Sequence, residues 1–128
     1  MTRDRIRIYF DGGCRPNLGN METAVVVRGE THMRHDVGHG DSSDAEWRAL
    51  LHAVEVATSL GIDNAEFIGD SMLVVRQARG ELKCRNPELR AYLAAYQAAI
   101  KAITHVRLRH VRRSKNMAGL ALYRARSF

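Results

Sequence analysis

The stretch "SSDAEWRALLHAVEVATSLG", residues 42–61, constrains this chain most. Trp47, Leu50, Leu51, Val54, Ala57 and Leu60 recur close to i, i+3, i+4, i+7 spacing, the stripe of an amphipathic helix. Ser43 opens a capping-box pattern with Glu46 three residues on, and Gly61 ends the helix. Alternating segments precede this helix, and the short apolar run "AEFIG", residues 65–69, follows it. Strand, long helix, strand in that order implies parallel pairing through a right-handed crossover.

The flanking segments fit the same plan. Ile6, Ile8 and Phe10 alternate with Arg5, Arg7 and Tyr9, and the run stops at Asp11. A second strand is expected from Met21 to Arg28, "RGET" reads as a turn, and a third strand runs from Thr31 to Gly38. These three make an antiparallel meander. Asp70 is expected to cap a helix from Ser71 to Ala78. Asn86 and Pro87 start the next helix, whose stripe is Leu89, Tyr92, Leu93, Tyr96, Ile100 and Ile103. Thr104 to Val111 alternates again, and a final helix begins near Met117. The order is βββαβααβα. The fold class is α/β, a five-stranded mixed sheet flanked by helices, in one domain over residues 1–128.

Charge narrows the partners. The net charge is +6, unevenly placed: eleven basic and fourteen acidic residues lie up to Glu88, nine basic and no acidic residues after it. A one-sided basic segment suits a polyanion, although a solvated basic surface has the same composition. No apolar run is long enough to span a bilayer, and "MTRDRIRIYF" has no signal-peptide core, so a cytoplasmic protein is expected, acting as a monomer. The two cysteines, Cys14 and Cys84, form no C-x-x-C pair, which argues against zinc. Reduced thiols are the default in that compartment.

Three carboxylates stand at telling places: Asp11 after the first strand, Glu46 early in the long helix, and Asp70 after the fourth strand. Each has an ordinary local explanation, as turn residue, capping-box partner and N-cap respectively. Their joint placement says more. If the fourth strand runs parallel to the first, Asp11 and Asp70 emerge side by side at the sheet edge where open α/β sheets place their sites. Glu46, bordering the apolar stripe, can reach the same spot. Such a cluster repels itself unless cations join it. Oxygen ligands suit Mg²⁺, and two ions ~4 Å apart can hold a phosphodiester for in-line attack by water.

At these residues the sequence resembles the type 1 ribonuclease H family. "YFDGGCRPNLG" is similar to its first-strand motif, with the catalytic Asp at Asp11. "DAEWRALLHAVEVA" resembles the helix motif carrying the catalytic Glu, at Glu46, and "FIGDSMLVVRQARGE" the motif carrying the catalytic Asp, at Asp70. "HVRRSKNMAGLAL" is similar to the last strand and final helix. The resemblance implies the ribonuclease H-like fold in a compact form without a basic handle or hybrid-binding domain. It also implies endonucleolytic cleavage of the RNA strand of RNA–DNA hybrids, giving 5′-phosphate and 3′-hydroxyl ends with Mg²⁺ or Mn²⁺; a nuclease of the same fold acting on another substrate, such as double-stranded RNA, is the rival reading. Family members read 2′-hydroxyls partly through the backbone of the Asp-Gly-Gly turn. That gives Gly12 and Gly13 a role in close approach, with Cys14, Arg15 and Asn17 as further groove residues. Arg15 is equally readable as a free surface arginine. Ser71 joins the substrate-binding set, and Arg76, in the loop region with Arg79, Lys83 and Arg85, offers phosphate contacts.

The family's fourth carboxylate, in a pattern like Asn-x-x-Ala-Asp, has no counterpart, because "NMAGLAL" places Gly119 there. Asn116 is then either the N-cap of the final helix or a metal ligand through its amide oxygen. Three carboxylates and the scissile phosphate can suffice with a looser second metal, or the domain binds nucleic acid with weak or no cleavage. Many members carry a histidine in the loop before the final helix. Here that loop is "RRSKN", and Arg112, Arg113 or Lys115 are the groups available to assist phosphate departure. His110 shares strand parity with Val106 and Leu108 and is expected to pack.

Overall fold

The computed structural model describes residues 4–15 and 19–126. Strands β1 (Ile6–Arg15), β2 (Gly19–Val27) and β3 (Glu30–Arg34) form the antiparallel meander. Helix α1 (Ser42–Ser59) crosses to β5 (Asn64–Gly69), which pairs parallel to β1. Helices α2 (Met72–Ala78) and α3 (Pro87–Ala99) lead to β6 (His105–His110), parallel to β5, and α4 (Met117–Arg126) closes the fold. A two-residue strand, β4 (His39–Gly40), pairs with the start of β2. The sheet order is β3-β2-β1-β5-β6, with β4 beside β2.

Three expectations change here. The third strand does not run to Gly38: it ends at Arg34, where Asp36 (φ 53°) and Gly38 (φ 127°) turn the chain back, and β4 resumes the pairing. The sheet therefore has six strands rather than five. The first strand does not stop at Asp11. It continues to Arg15 against β2, with Asp11 opposite Ala24 and Gly12 opposite Thr23, so Asp-Gly-Gly is extended strand and not a turn. The β2–β3 connection is tighter than "RGET". Arg28 and Gly29 both take positive φ (53° and 78°), the two-residue hairpin geometry that suits the twist of paired strands.

Alternation on the strands decides the two faces. Ile8, Phe10, Val25, Val27, Ala65 and Phe67 turn to one side and are buried under α1 through Trp47, Leu50, Ala53, Val54 and Ala57. The expected α3 stripe lands on this core, and Tyr92 and Tyr96 sit with ring centroids 6.3 Å from Trp47. Trp47 Nε1 donates to Gln77 Oε1 (3.2 Å), which satisfies the one polar atom the indole brings inside. The opposite face is covered over β1 and β2 by α4, where Ala118 and Leu122 pack on Ala24 beside Tyr9, Val26 and Met33. No helix among the described residues is long and apolar enough to cross a membrane.

Candidate active site

Strand lengths create the site. Pairing of β1 with β5 ends at Tyr9 opposite Ile68, and β5 itself ends at Gly69. Beyond that point β1 continues with β2 on one flank only. Asp11, of the same parity as Tyr9, therefore projects at the open flank. Asp70, of the same parity as Ile68, leaves the end of the parallel neighbour beside it. The parallel exit that the sequence implies is what brings the two aspartates together.

Both local explanations that competed for Glu46 and Asp70 are taken by other residues. The N-cap of α1 is Asp41, whose Oδ1 accepts from Asp44 N (2.9 Å) while Asp44 Oδ2 accepts from Asp41 N (3.1 Å). The capping box is thus Asp41 with Asp44, not Ser43 with Glu46, because the N-cap falls two residues before Ser43. Likewise Ser71, not Asp70, caps α2, its hydroxyl accepting from Val74 N (3.3 Å). Glu46 and Asp70 are left for the cleft.

Asp11, Glu46 and Asp70 each present an oxygen within 4.8 Å of the others. Glu46 comes from the buried side of α1, is only 9% exposed, and accepts from Gly12 N through Oε1 (3.3 Å). This contact needs a glycine: a Cβ at position 12 would lie 2.0 Å from the Ala45 carbonyl oxygen, so only a bare backbone lets α1 come this close. Burial, then the shared hydrogen bond with Asp11 and the charges of Asp11 and Asp70, push the Glu46 carboxyl well above its usual range. Burial also raises Asp11, opposed by its hydrogen bond with Glu46 and by the Arg113 guanidinium, while Asp70 adds to the rise. Glu46 Oε2 is buried with no hydrogen-bond partner. An orphan carboxylate oxygen among three crowded acids is the signature of a site completed by a hard cation, and this donor set fits Mg²⁺ or Mn²⁺.

Asn116 is fully buried between the three elements that meet here. Its Nδ2 donates to the Phe10 carbonyl (3.0 Å) and to Asp70 Oδ2 (2.9 Å), and its Oδ1 accepts from Ala118 N (3.1 Å). Of the two alternatives, cap and ligand, the amide oxygen serves the first by capping α4, while the amide nitrogen holds Asp70. His110 is half-buried, and its Nε2 lies 3.2 Å from the Asp70 carbonyl oxygen. Position 119 faces the cluster, since a Cβ there would stand 3.3 Å from Asp11 Oδ2 and 3.7 Å from Asp70 Oδ2.

The three acids line an open cleft of about 500 Å³ together with Gly12, Gly13, Cys14, Ser71, Arg113 and Gly119. Arg76 does not line it; on α2 its guanidinium lies 3.9 Å from Glu81. Asn17 lies outside the described residues, as does the side chain of Arg15. Sequence reasoning missed Ser42, Ser43, Leu122 and Tyr123, which also line the cleft. The signal for the last two was available, because they stand three and four residues after Gly119, one turn along the same helix face.

A family model described as reverse transcriptase-like matches residues 9–123. Ribonuclease HI of Halobacterium salinarum is 31% identical over 123 residues, which cover 92% of this chain and 62% of that protein. The chain thus spans less than two thirds of that curated relative's length. Among solved structures, RNase H1 from Halobacterium salinarum superposes with a TM-score of 0.86 at 29% identity, covering 93% of this chain and 94% of that one. LC11-RNase H1 in complex with an RNA/DNA hybrid superposes with a TM-score of 0.76 at 31% identity over 88% of each chain.

Proposed function

Because the chain belongs to the reverse transcriptase-like family and carries the ribonuclease H-like fold, we propose that it is an endoribonuclease cutting the RNA strand of RNA–DNA hybrids. The observation that carries this reading is the triad Asp11, Glu46 and Asp70, with oxygens within 4.8 Å, in a cleft that Arg113 also lines. The hybrid held by LC11-RNase H1 supports the choice of substrate. Asp11, Glu46 and Asp70 would hold two Mg²⁺ or Mn²⁺ ions, which would supply electrostatic stabilisation of the charge developing in a hydrolysis that leaves 5′-phosphate and 3′-hydroxyl ends.

The chain's own residues do the rest. Arg113 draws a phosphate toward the acids and offsets their mutual repulsion. Gly12 N–H fixes Glu46, and Asn116 fixes Asp70 Oδ2, so little reorganisation is left for the reaction. Gly13 and Cys14 line the wall along which the RNA backbone approaches.

Gly119 favours a second reading, a hybrid-binding module with weak or no cleavage, since the helix that faces the triad brings no fourth carboxylate. One experiment separates the two. Labelled RNA–DNA hybrid, double-stranded RNA and double-stranded DNA are incubated with the protein in Mg²⁺ and in Mn²⁺. The enzyme reading expects cleavage of the hybrid's RNA strand, abolished by Asp70→Asn. Binding of hybrid without cleavage in either ion would establish the module instead.

A further inference from the structure

The sheet face opposite α1 carries a second ordered set of charges. Residues of one parity stand in rows across β1, β5 and β6: Tyr9, Ile68 and Arg109, and below them Arg7, Glu66 and Arg107. Asp11 and Asp70 top the same two columns. Arg5, just before β1, extends the array downward. Glu66 is buried, its side chain 9% exposed, while the guanidinium groups of Arg5, Arg7 and Arg109 lie 3.8, 3.9 and 3.6 Å from it and are 45, 68 and 46% exposed. Arg107 is exposed as well. Because α4 packs on β1 and β2, this array stays open to solvent.

One carboxylate cannot satisfy these arginines. Each guanidinium brings five N–H donors, a carboxylate about four acceptor positions. The separations to Glu66 are longer than the ~2.7–2.9 Å of a tight charge-assisted bond, so the donors remain available to a second anion. Glu66 acts as a buried anchor that holds the arginines in one array and leaves an excess of positive charge outward. Protection of a sheet edge accounts for charges on β6, an edge strand, but not for Arg7 in the sheet's centre. The array also connects to the cleft: β6 descends from the loop bearing Arg113, which lines the cleft, through Arg109 to Arg107. Two residues along a strand advance ~6.6 Å, close to one nucleotide of an extended backbone.

We infer that this face is a phosphate-binding track for a single strand of nucleic acid continuous with the cleft, running from Arg113 over Arg109 and Arg107 to Arg7 and Arg5. It rests on the hybrid-cleaving reading only for the kind of ligand in the cleft. Its use is to hold a single-stranded flank of a hybrid, where arginines contact phosphates without reading sequence.

The test is fluorescence anisotropy in EDTA with a blunt hybrid and with the same hybrid bearing a single-stranded tail of about twelve nucleotides. The wild type binds the tailed hybrid more tightly. Arg107→Gln, at the one arginine of the array that does not pair with Glu66, loses part of that gain. Arg7→Gln, Arg107→Gln and Arg109→Gln combined with Glu66→Gln, which leaves no buried carboxylate unpaired, lose most of it. The combination also lowers the slope of log K against log salt for the tailed hybrid by about 2, since each single-strand phosphate contact contributes ~0.7. Blunt-hybrid affinity is unchanged. Glu66→Gln alone removes the array's one negative charge and tightens tailed binding, a direction that a merely structural salt bridge would not produce. Thermal melts report whether the combined variant folds; if it does not, Arg107→Gln and Glu66→Gln decide alone. The inference is overturned if the tail adds nothing in the wild type, or if the variants keep its gain. It is equally overturned if poly-L-glutamate binds the array while tailed binding is insensitive to these substitutions, since the face then suits an acidic protein segment. Cleavage of the blunt hybrid in Mg²⁺ tests the catalytic reading separately: tail-dependent binding without cleavage defeats that reading and leaves the track standing.

Discussion

Gly119→Asp tests whether α4 faces the triad as described. A Cβ at 119 would stand 3.3 Å from Asp11 Oδ2 and 3.7 Å from Asp70 Oδ2, so an aspartate there adds a fourth charge within about 4–5 Å of two others. At an effective dielectric constant near 20, one such like-charge pair costs ~3–4 kcal/mol. Position 119 is the third residue of α4, where the helix dipole returns ~0.3–1 kcal/mol to an acid and the loss of glycine returns a few tenths more. Counting only one of the two pairs, the net expectation in EDTA at pH 8 is a loss of at least about 2 kcal/mol, or roughly 6–10 °C or more in melting temperature for a domain of this size. Gly119→Asn carries the same shape without the charge and should stay within ~0.5 kcal/mol of the parent. Adding Mn²⁺ or Mg²⁺ should erase the Asp–Asn difference and raise the Asp variant's midpoint more than the parent's, because the fourth carboxylate becomes a ligand. The assay is thermal unfolding by circular dichroism across a metal titration, with hybrid cleavage in parallel. Equal melting of the Asp and Asn variants in EDTA, or an Asp variant indifferent to divalent ions, would refute the placement of α4 over the acids.

Three further outcomes follow from the same geometry. Asn116→Ala removes a fully buried amide that makes three hydrogen bonds, and should cost about 2–4 kcal/mol in urea unfolding while lowering kcat more than it raises KM, because Asp70 loses its clamp. Gly12→Ala puts a methyl 2.0 Å from the Ala45 carbonyl oxygen, and should destabilise by about 3 kcal/mol and shift Glu46 away from the other acids, read as weakened Mn²⁺ binding in calorimetry. His52 is buried with Nδ1 2.8 Å from Thr23 Oγ1, and burial with the nearby Arg34 charge lowers its pKa to about 4. The unfolded chain then takes up the proton near the ordinary value and the folded chain does not, so its contribution to stability is full above that value and is lost as pH falls toward 4; wild type should lose about 2 kcal/mol more than His52→Gln between pH 7 and 5, measured by denaturant midpoints.

The acids were legible because their chemistry coincides with topology. A strand–helix–strand order forces β1 and β5 to run parallel, and that alone brings Asp11 and Asp70 to one edge. What the pattern could not resolve was which of several neighbouring polar residues takes each cap. Ser43 with Glu46 and Asp41 with Asp44 are both i, i+3 pairs, and the choice depends on where the helix begins, which that spacing alone does not fix. Alternation also could not tell where β1 ends, since its second half pairs with β2 through glycines that carry no periodicity. The split of the third strand turns on the positive φ of Asp36, which a single aspartate does not announce. Asn116 was read as cap or ligand; its third role, holding Asp70, depends on a contact across 46 residues that no local pattern contains.

That long-range amide has a consequence for synthesis. Asn116 joins the Phe10 carbonyl, 106 residues earlier, to Asp70 and to the start of α4. As the chain leaves the ribosome, β1, α1 and β5 can pair well before residue 116 emerges, but the Asp70 oxygen has no fixed place until it does. A nascent chain of this kind gathers its acids early and fixes Asp70 only after a further 46 residues have followed it.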